Sequence, residues 1–115
     1  MFEFITIREL YEMFLSNQVM DLEGYEYVEL EGWVRTNRNN GKLGFIALND
    51  GTYFKNLQIV YTQDRVDNYE EVEKIATGSA IRVVGKLKLT PEGKQPFEVE
   101  ATQVEVEGTC DNDYP

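Results

Sequence analysis

Phe45 and Gln58 set an aromatic ring and a carboxamide into two apolar alternations that flank an Asn49-Asp50-Gly51 turn, in the stretch GFIALNDGTYFKNLQIVY. Both are out of phase with Ile46, Leu48, Leu57, Ile59 and Tyr61, so they face outward where those five face a core. An outward ring can stack on an unstacked nucleobase, a contact worth roughly 1–3 kcal/mol per base. A neighbouring carboxamide then offers a donor group and an acceptor to the Watson–Crick edge of that base. The same phase also fits two plainer readings. Phe45 can pack beneath the 39–42 turn, and Gln58 can be an ordinary polar residue on an exposed strand face.

Other chemistry is sharply limited. The 115 residues include no histidine and one cysteine, Cys110, which removes the usual zinc sites, the Ser-His and Cys-His nucleophile arrangements and any internal disulfide. Asp50 and Glu98 lack the paired, buried setting that would raise a carboxyl pKa for acid–base work. The net charge of −10 argues against phosphate binding as a whole. Its distribution does not: residues 32 to 62 hold Arg35, Arg38, Lys42 and Lys55 against Asp50 alone, a local balance of +3. Arg38 shares the parity of Val34 and therefore points inward unless the strand ends or bulges at Asn37. Glu98, next to Phe97, reads as a solvated outward carboxylate, and Trp33 as a partly buried packing residue.

The elements that must carry these side chains follow from periodicity. Thr6-Ile7-Arg8-Glu9 is a capping box, and Ile7, Leu10, Tyr11 and Phe14 at helical spacing predict a short amphipathic helix to about Ser16. Strands are predicted over Tyr27 to Arg38, Leu43 to Asn49 and Lys55 to Thr62, with a tight turn at Asn39-Asn40-Gly41. A second helix is expected over 67 to 77, with Asp67 and Glu70 as its box, Val72, Ile75 and Ala76 inward, and Gly78 as its stop. Ala80 to Leu89 and Phe97 to Glu107 are the last strands, joined by a turn at Thr90-Pro91-Glu92-Gly93, and a phase change in the second implies a bulge near Thr102 and Gln103.

This order, β-β-β-α-β-β behind a leading helix, predicts an all-β fold: a five-stranded OB-fold Greek-key barrel with a helix between strands three and four and a short N-terminal helix. Such barrels bind ligand on the face of strands two and three, which here is the basic hairpin. The expected organisation is an N-terminal helix and connection over 1–26, the barrel over 27–108, and the start of a linker over 109–115. No apolar run approaches the roughly 20 residues that cross a bilayer. With an acidic start and no cleavage site, the N-terminus does not read as a signal peptide, so a cytoplasmic protein with no membrane partner is expected.

Taken together, GWVRTNR, GFIALNDGTYFKNLQIV, TGSAIRVVGK, PFEVEATQVEV and the terminal DYP resemble the N-terminal anticodon-binding domain of asparaginyl-tRNA synthetases, over about residues 27 to 115. Aspartyl and lysyl enzymes are similar here, and LNDGTYFKNLQ looks most like the asparaginyl branch. The resemblance implies that Phe45 stacks on the middle anticodon uridine and Gln58 hydrogen-bonds its edge. It also implies that Arg38 contacts the anticodon backbone or a base, with Arg35 in the same basic segment, and that Glu98 lies near the first anticodon base. The implied partner is the anticodon loop of tRNA(Asn). ATP and magnesium are expected only in a catalytic domain outside this chain, which itself carries no cofactor and does not aminoacylate alone. The full-length enzyme is expected to be a homodimer and the isolated domain a monomer. The alternatives are a free-standing OB-fold module for single-stranded nucleic acid or protein, and the equivalent domain of an aspartyl enzyme.

Overall fold

A computed structural model describes residues 3–15, 27–89 and 97–108. The predicted turn at 90–93, Cys110, the segment 109–115 and the connection 16–26 lie outside them. So do the side chains of Phe14 and Leu89.

The elements are β1 (Glu3–Phe4), α1 (Ile7–Leu15), β2 (Tyr27–Asn39), β3 (Leu43–Asn49), β4 (Leu57–Thr62), α2 (Tyr69–Val72), β5 (Ala80–Leu89) and β6 (Phe97–Gly108). One sheet runs in the order β1-β2-β3-β4-β6-β5 and closes on itself through a β2–β5 pairing. The five predicted strands thus form a closed barrel, and the two residues of β1 add a short parallel strand beside Val28 and Glu29. The length of β2 makes closure possible. Its first half, Tyr27 to Trp33, pairs with β5, and its second half pairs with β3. β4 and β6 meet in parallel at Ile59–Val99 and Val60–Glu100.

The alternation expected of β3 and β4 is present: Ile46, Leu48, Leu57, Ile59 and Tyr61 are fully buried, together with Val28, Leu30, Val34, Ile81, Val83, Phe97, Val99 and Ala101. Thr102 forms the expected bulge, because Val84 pairs with Gln103 and Gly85 with Ala101. Its hydroxyl donates to the Val84 carbonyl at 3.1 Å. The turn before β3 needs a residue of positive φ, which Gly41 supplies at 91°. Gly44 is needed for a different reason. A Cβ there would lie 2.0 Å from the Tyr61 ring, which fills that space.

Both ends of the barrel are plugged. α1 covers one end with Ile7, Leu10 and Tyr11, whose ring lies 4.9 Å from Phe97 and stacks on Tyr53 at 4.7 Å. The capping box forms, with Glu9 N–H donating to Thr6 Oγ1 at 3.1 Å and Thr6 N–H to Glu9 Oε1 at 3.3 Å. The β3–β4 turn caps the same helix: Ile7 N–H donates to Asp50 Oδ2 at 2.9 Å and Arg8 N–H to Thr52 Oγ1 at 3.0 Å. Val66, Tyr69, Val72 and Ile75 fill the other end.

The helix expected over 67 to 77 is only Tyr69–Val72, and neither Asp67 nor Asn68 caps it through its side chain. Asn68 instead donates to the Val104 carbonyl at 2.9 Å. Asn37 from β2 takes the Val72 and Ile75 carbonyls at 2.9 and 3.2 Å, which turns the chain where a longer helix would continue. Ala76, assigned to the inner stripe, is exposed, and Tyr69 takes an inward place. Gly78 retains positive φ at 93°, and its N–H donates to the Val34 carbonyl. β4 begins at Leu57, two residues later than expected, after the loop that carries the exposed Phe54.

Candidate nucleic-acid interface

A β-bulge sets which residues reach the outer face. Val34 pairs with Leu48 and Thr36 with Ala47, so Arg35 is the extra residue on β2 and the alternation reverses after it. The break sits at Arg35 and not at Asn37, where the parity of Arg38 had required it. Asn37 consequently turns inward opposite Ile46, and Arg38 turns outward opposite Phe45.

Two rows of outward side chains cross the barrel here. Arg38, Phe45 and Val60 are successive register partners, continued by Glu100 on β6. Thr36, Ala47 and Gln58 form the next row, which a hydrogen bond from Gln58 Nε2 to Glu98 Oε2 at 3.0 Å extends to β6. Between the rows lies an open hollow of about 400 Å³ lined by Thr36, Arg38, Phe45, Ile46, Ala47 and Gln58. The Phe45 ring is 40% exposed, so the 39–42 turn does not bury it. Arg38 is exposed, and its side chain makes no hydrogen bond or ion pair among the described residues.

The hollow brings together three of the five residues singled out in the sequence, Arg38, Phe45 and Gln58, and Glu98 joins them through Gln58. Arg35 is exposed at the bulge and does not line the hollow. Trp33 is 51% exposed, more open than a packing residue, and its ring lies over Gly51, 3.3 Å from where a Cβ would stand. Beyond Val60, Glu100 is held by Arg65 and by Lys88 at 3.3 Å, so two cations flank the face without being free of partners.

Sequence reading missed the contribution of Thr36 and the shape imposed by Ala47. The outward phase of Ala47 was legible, but only its position between Thr36 and Gln58 shows that a methyl there leaves the space a larger side chain would fill. Chemically the hollow pairs an apolar ring face with a charge-bearing fork and an amide, a set suited to a flat polar ring attached to an anion.

A closed barrel of this strand order, with a ring, a cation and a carboxamide exposed on β2, β3 and β4, defines an OB-fold binding barrel. Residues 28–107 match the family model described as OB-fold nucleic acid binding domain, tRNA anti-codon, and the chain belongs to that family. Among its relatives, the asparagine–tRNA ligase of Alkaliphilus oremlandii is 51% identical over 92 residues, which cover 80% of this chain and 19% of the relative. That of Clostridium acetobutylicum is 44% identical over 113 residues, covering 98% of this chain and 23% of the relative. The chain therefore spans about a fifth of the length of these curated relatives. Among solved structures, the asparaginyl-tRNA synthetase of Pyrococcus horikoshii superposes with a TM-score of 0.66 at 29% identity, over 74% of this chain and 20% of that one.

Proposed function

We propose that this barrel binds the anticodon loop of tRNA(Asn) as the anticodon-reading part of an asparagine–tRNA ligase. The middle uridine would stack on Phe45 and be read by Gln58, while Arg38 meets the loop backbone or a neighbouring base. The observation that carries the reading is the half-open Phe45 ring between an outward Arg38 and Gln58 in one hollow. The names of the relatives support tRNA as the partner, and the barrel class supports single-stranded bases on this face. Arg35 and Lys42, both exposed near the hollow, would add phosphate contacts at its rim. In the same reading, ATP and magnesium serve a catalytic domain outside these residues, and the ligase works in the cytoplasm as a homodimer. Among the described residues no helix is long and apolar enough to cross a membrane, which agrees with that setting.

Titrating RNA hairpins that differ only in the middle loop base tests the proposal, at low ionic strength because the body is acidic. Phe45→Ala should weaken binding by roughly 1–3 kcal/mol for every middle base, since stacking is largely blind to base identity. Gln58→Ala should chiefly erase the preference for uridine over cytidine, whose donor and acceptor positions are exchanged. Equal binding of the two hairpins by the wild-type protein, or unchanged affinity in Phe45→Ala, would show that this face does not read the anticodon.

A further inference from the structure

We infer that Trp33 is a second base-stacking residue on this face, holding another unpaired base of the same loop, with Arg35 on the phosphate chain between it and Phe45. The inference rests on the reading of the hollow proposed above and extends it along β2. Trp33 pairs with Asn49 and Arg38 with Phe45, so the two rings stand on neighbouring strands, four residues apart along β3. At about 3.4 Å per residue that separation is roughly 14 Å. The base stacked on Phe45 cannot also reach Trp33, whereas a second base splayed from the same loop can.

The turn after β3 props the indole. Its Cζ3 and Cη2 atoms lie 3.3 and 3.7 Å from where a Cβ on Gly51 would stand, and the φ of 78° at Gly51 favours glycine there. Asn49 Oδ1 accepts from the Gly51 N–H at 2.8 Å and Asn49 Nδ2 donates to Asn56 Oδ1 at 3.0 Å, which fixes the turn beneath the ring. Trp33 is nonetheless 51% exposed, more than the 40% of Phe45. A large aromatic supported in this way loses little freedom when a base stacks on it.

Charge sets the direction of the RNA chain. Before Trp33 on β2 stands the exposed Glu31; after it come the exposed Arg35 and Arg38, whose side chains make no hydrogen bond or ion pair among the described residues. The Asp50 carboxylate, next to Gly51, is taken by the Ile7 N–H and by Thr52. A phosphate is therefore favoured between Trp33 and the hollow and disfavoured beyond Trp33. As the extra residue between Val34 and Thr36, Arg35 lies in that interval.

Trp33 is the only tryptophan in the 115 residues, so its fluorescence reports on this position alone. Hairpins with the asparagine anticodon are titrated at low salt, with affinity read independently from the anisotropy of a dye on the RNA stem. Binding should quench the tryptophan, and one hairpin made abasic at a loop position other than the middle should bind without quenching. Trp33→Ala should weaken the intact hairpin at least about fivefold and leave that abasic hairpin unaffected, while Trp33→Phe, which keeps a ring, restores most of the affinity. Arg35→Gln should make the slope of log affinity against log salt shallower by about 0.7, the share of one phosphate contact on a single strand. Circular dichroism follows the fold of each variant, and the quenching is measured on the wild-type chain, so the test does not depend on a variant folding. Unchanged emission at saturation, or quenching that survives every single abasic substitution, overturns the role of Trp33 and leaves the hollow as the anticodon reader wherever Phe45→Ala still weakens binding. A hairpin that does not bind, or binding that Phe45→Ala leaves unchanged, overturns that reading and this inference with it.

Discussion

Arg38 and Asn37 exchange the faces that simple alternation assigns them, and each then does work the other could not. Outward, Arg38 lies beside Phe45. Inward, Asn37 accepts from Tyr61 Oη at 2.6 Å while its amide donates to the Val72 and Ile75 carbonyls. One side chain thus ties the strand that carries Arg38 to the segment that plugs the barrel. Asn37→Ala takes this partner from a hydroxyl and two carbonyls; the Val72 carbonyl keeps the Ile75 N–H, and each buried group left without a partner costs roughly 1–3 kcal/mol. A loss of at least about 2 kcal/mol in urea unfolding is expected, with the outer face otherwise unaltered. A loss below about 0.5 kcal/mol would mean that water replaces the amide without cost.

At the scale of elements, the β3–β4 turn is what joins the leading helix to the ligand-bearing hairpin. Asp50 is the one acid in the basic segment, and its carboxylate is spent on the Ile7 N–H of α1 and on Thr52. Asp50→Ala should cost about 1 kcal/mol, as loss of a helix cap does, and should speed hydrogen exchange at the Ile7 amide before the barrel strands are affected. The hairpin itself was legible in sequence because Ile46, Leu48, Leu57, Ile59 and Tyr61 obey one period and a glycine turn divides them. The capping box at Thr6 and the bulge at Thr102 were legible as local chemistry and as a change of phase. The long second helix was not, since Asp67 and Glu70 have the spacing of a cap while the carbonyls that end the helix at Val72 are taken by Asn37, distant in sequence. The position of the first bulge was hidden for a similar reason. Thr36, Asn37 and Arg38 are all polar, so no apolar residue marks where the phase turns, and only pairing with Ala47, Ile46 and Phe45 reveals it. What local periodicity cannot express is a partner on another strand.

The whole molecule carries a net charge of −10 with a local balance of +3 over residues 32 to 62, a distribution that discourages indiscriminate contact with phosphate and leaves binding to few groups. Its stability at high pH depends on rings at opposite ends of the barrel. Burial holds the Tyr11 hydroxyl above its ordinary pKa, with Tyr53 adding to the effect, and burial does the same for Tyr61. Because the folded values lie above the unfolded value near 10, the folded chain keeps these protons after the unfolded chain has lost them. Stability is therefore expected to be insensitive to these groups below about pH 10 and to fall as pH rises beyond it. Thermal midpoints measured between about pH 8 and 11.5, alongside tyrosinate absorbance, check this; a midpoint that does not fall above pH 10 would contradict it. The single unpaired residue at Arg35 has a consequence of another kind. It sets the frame for everything after it on β2: pairing every residue one to one would send Arg38 into the core and expel Asn37, whereas removing the extra residue lets Thr36 follow Val34 directly, with Asn37 still inward and Arg38 still outward. In this part of the chain the binding face has one residue of slack, so lineages that keep that face can be expected to differ here by loss of the extra residue as well as by substitution.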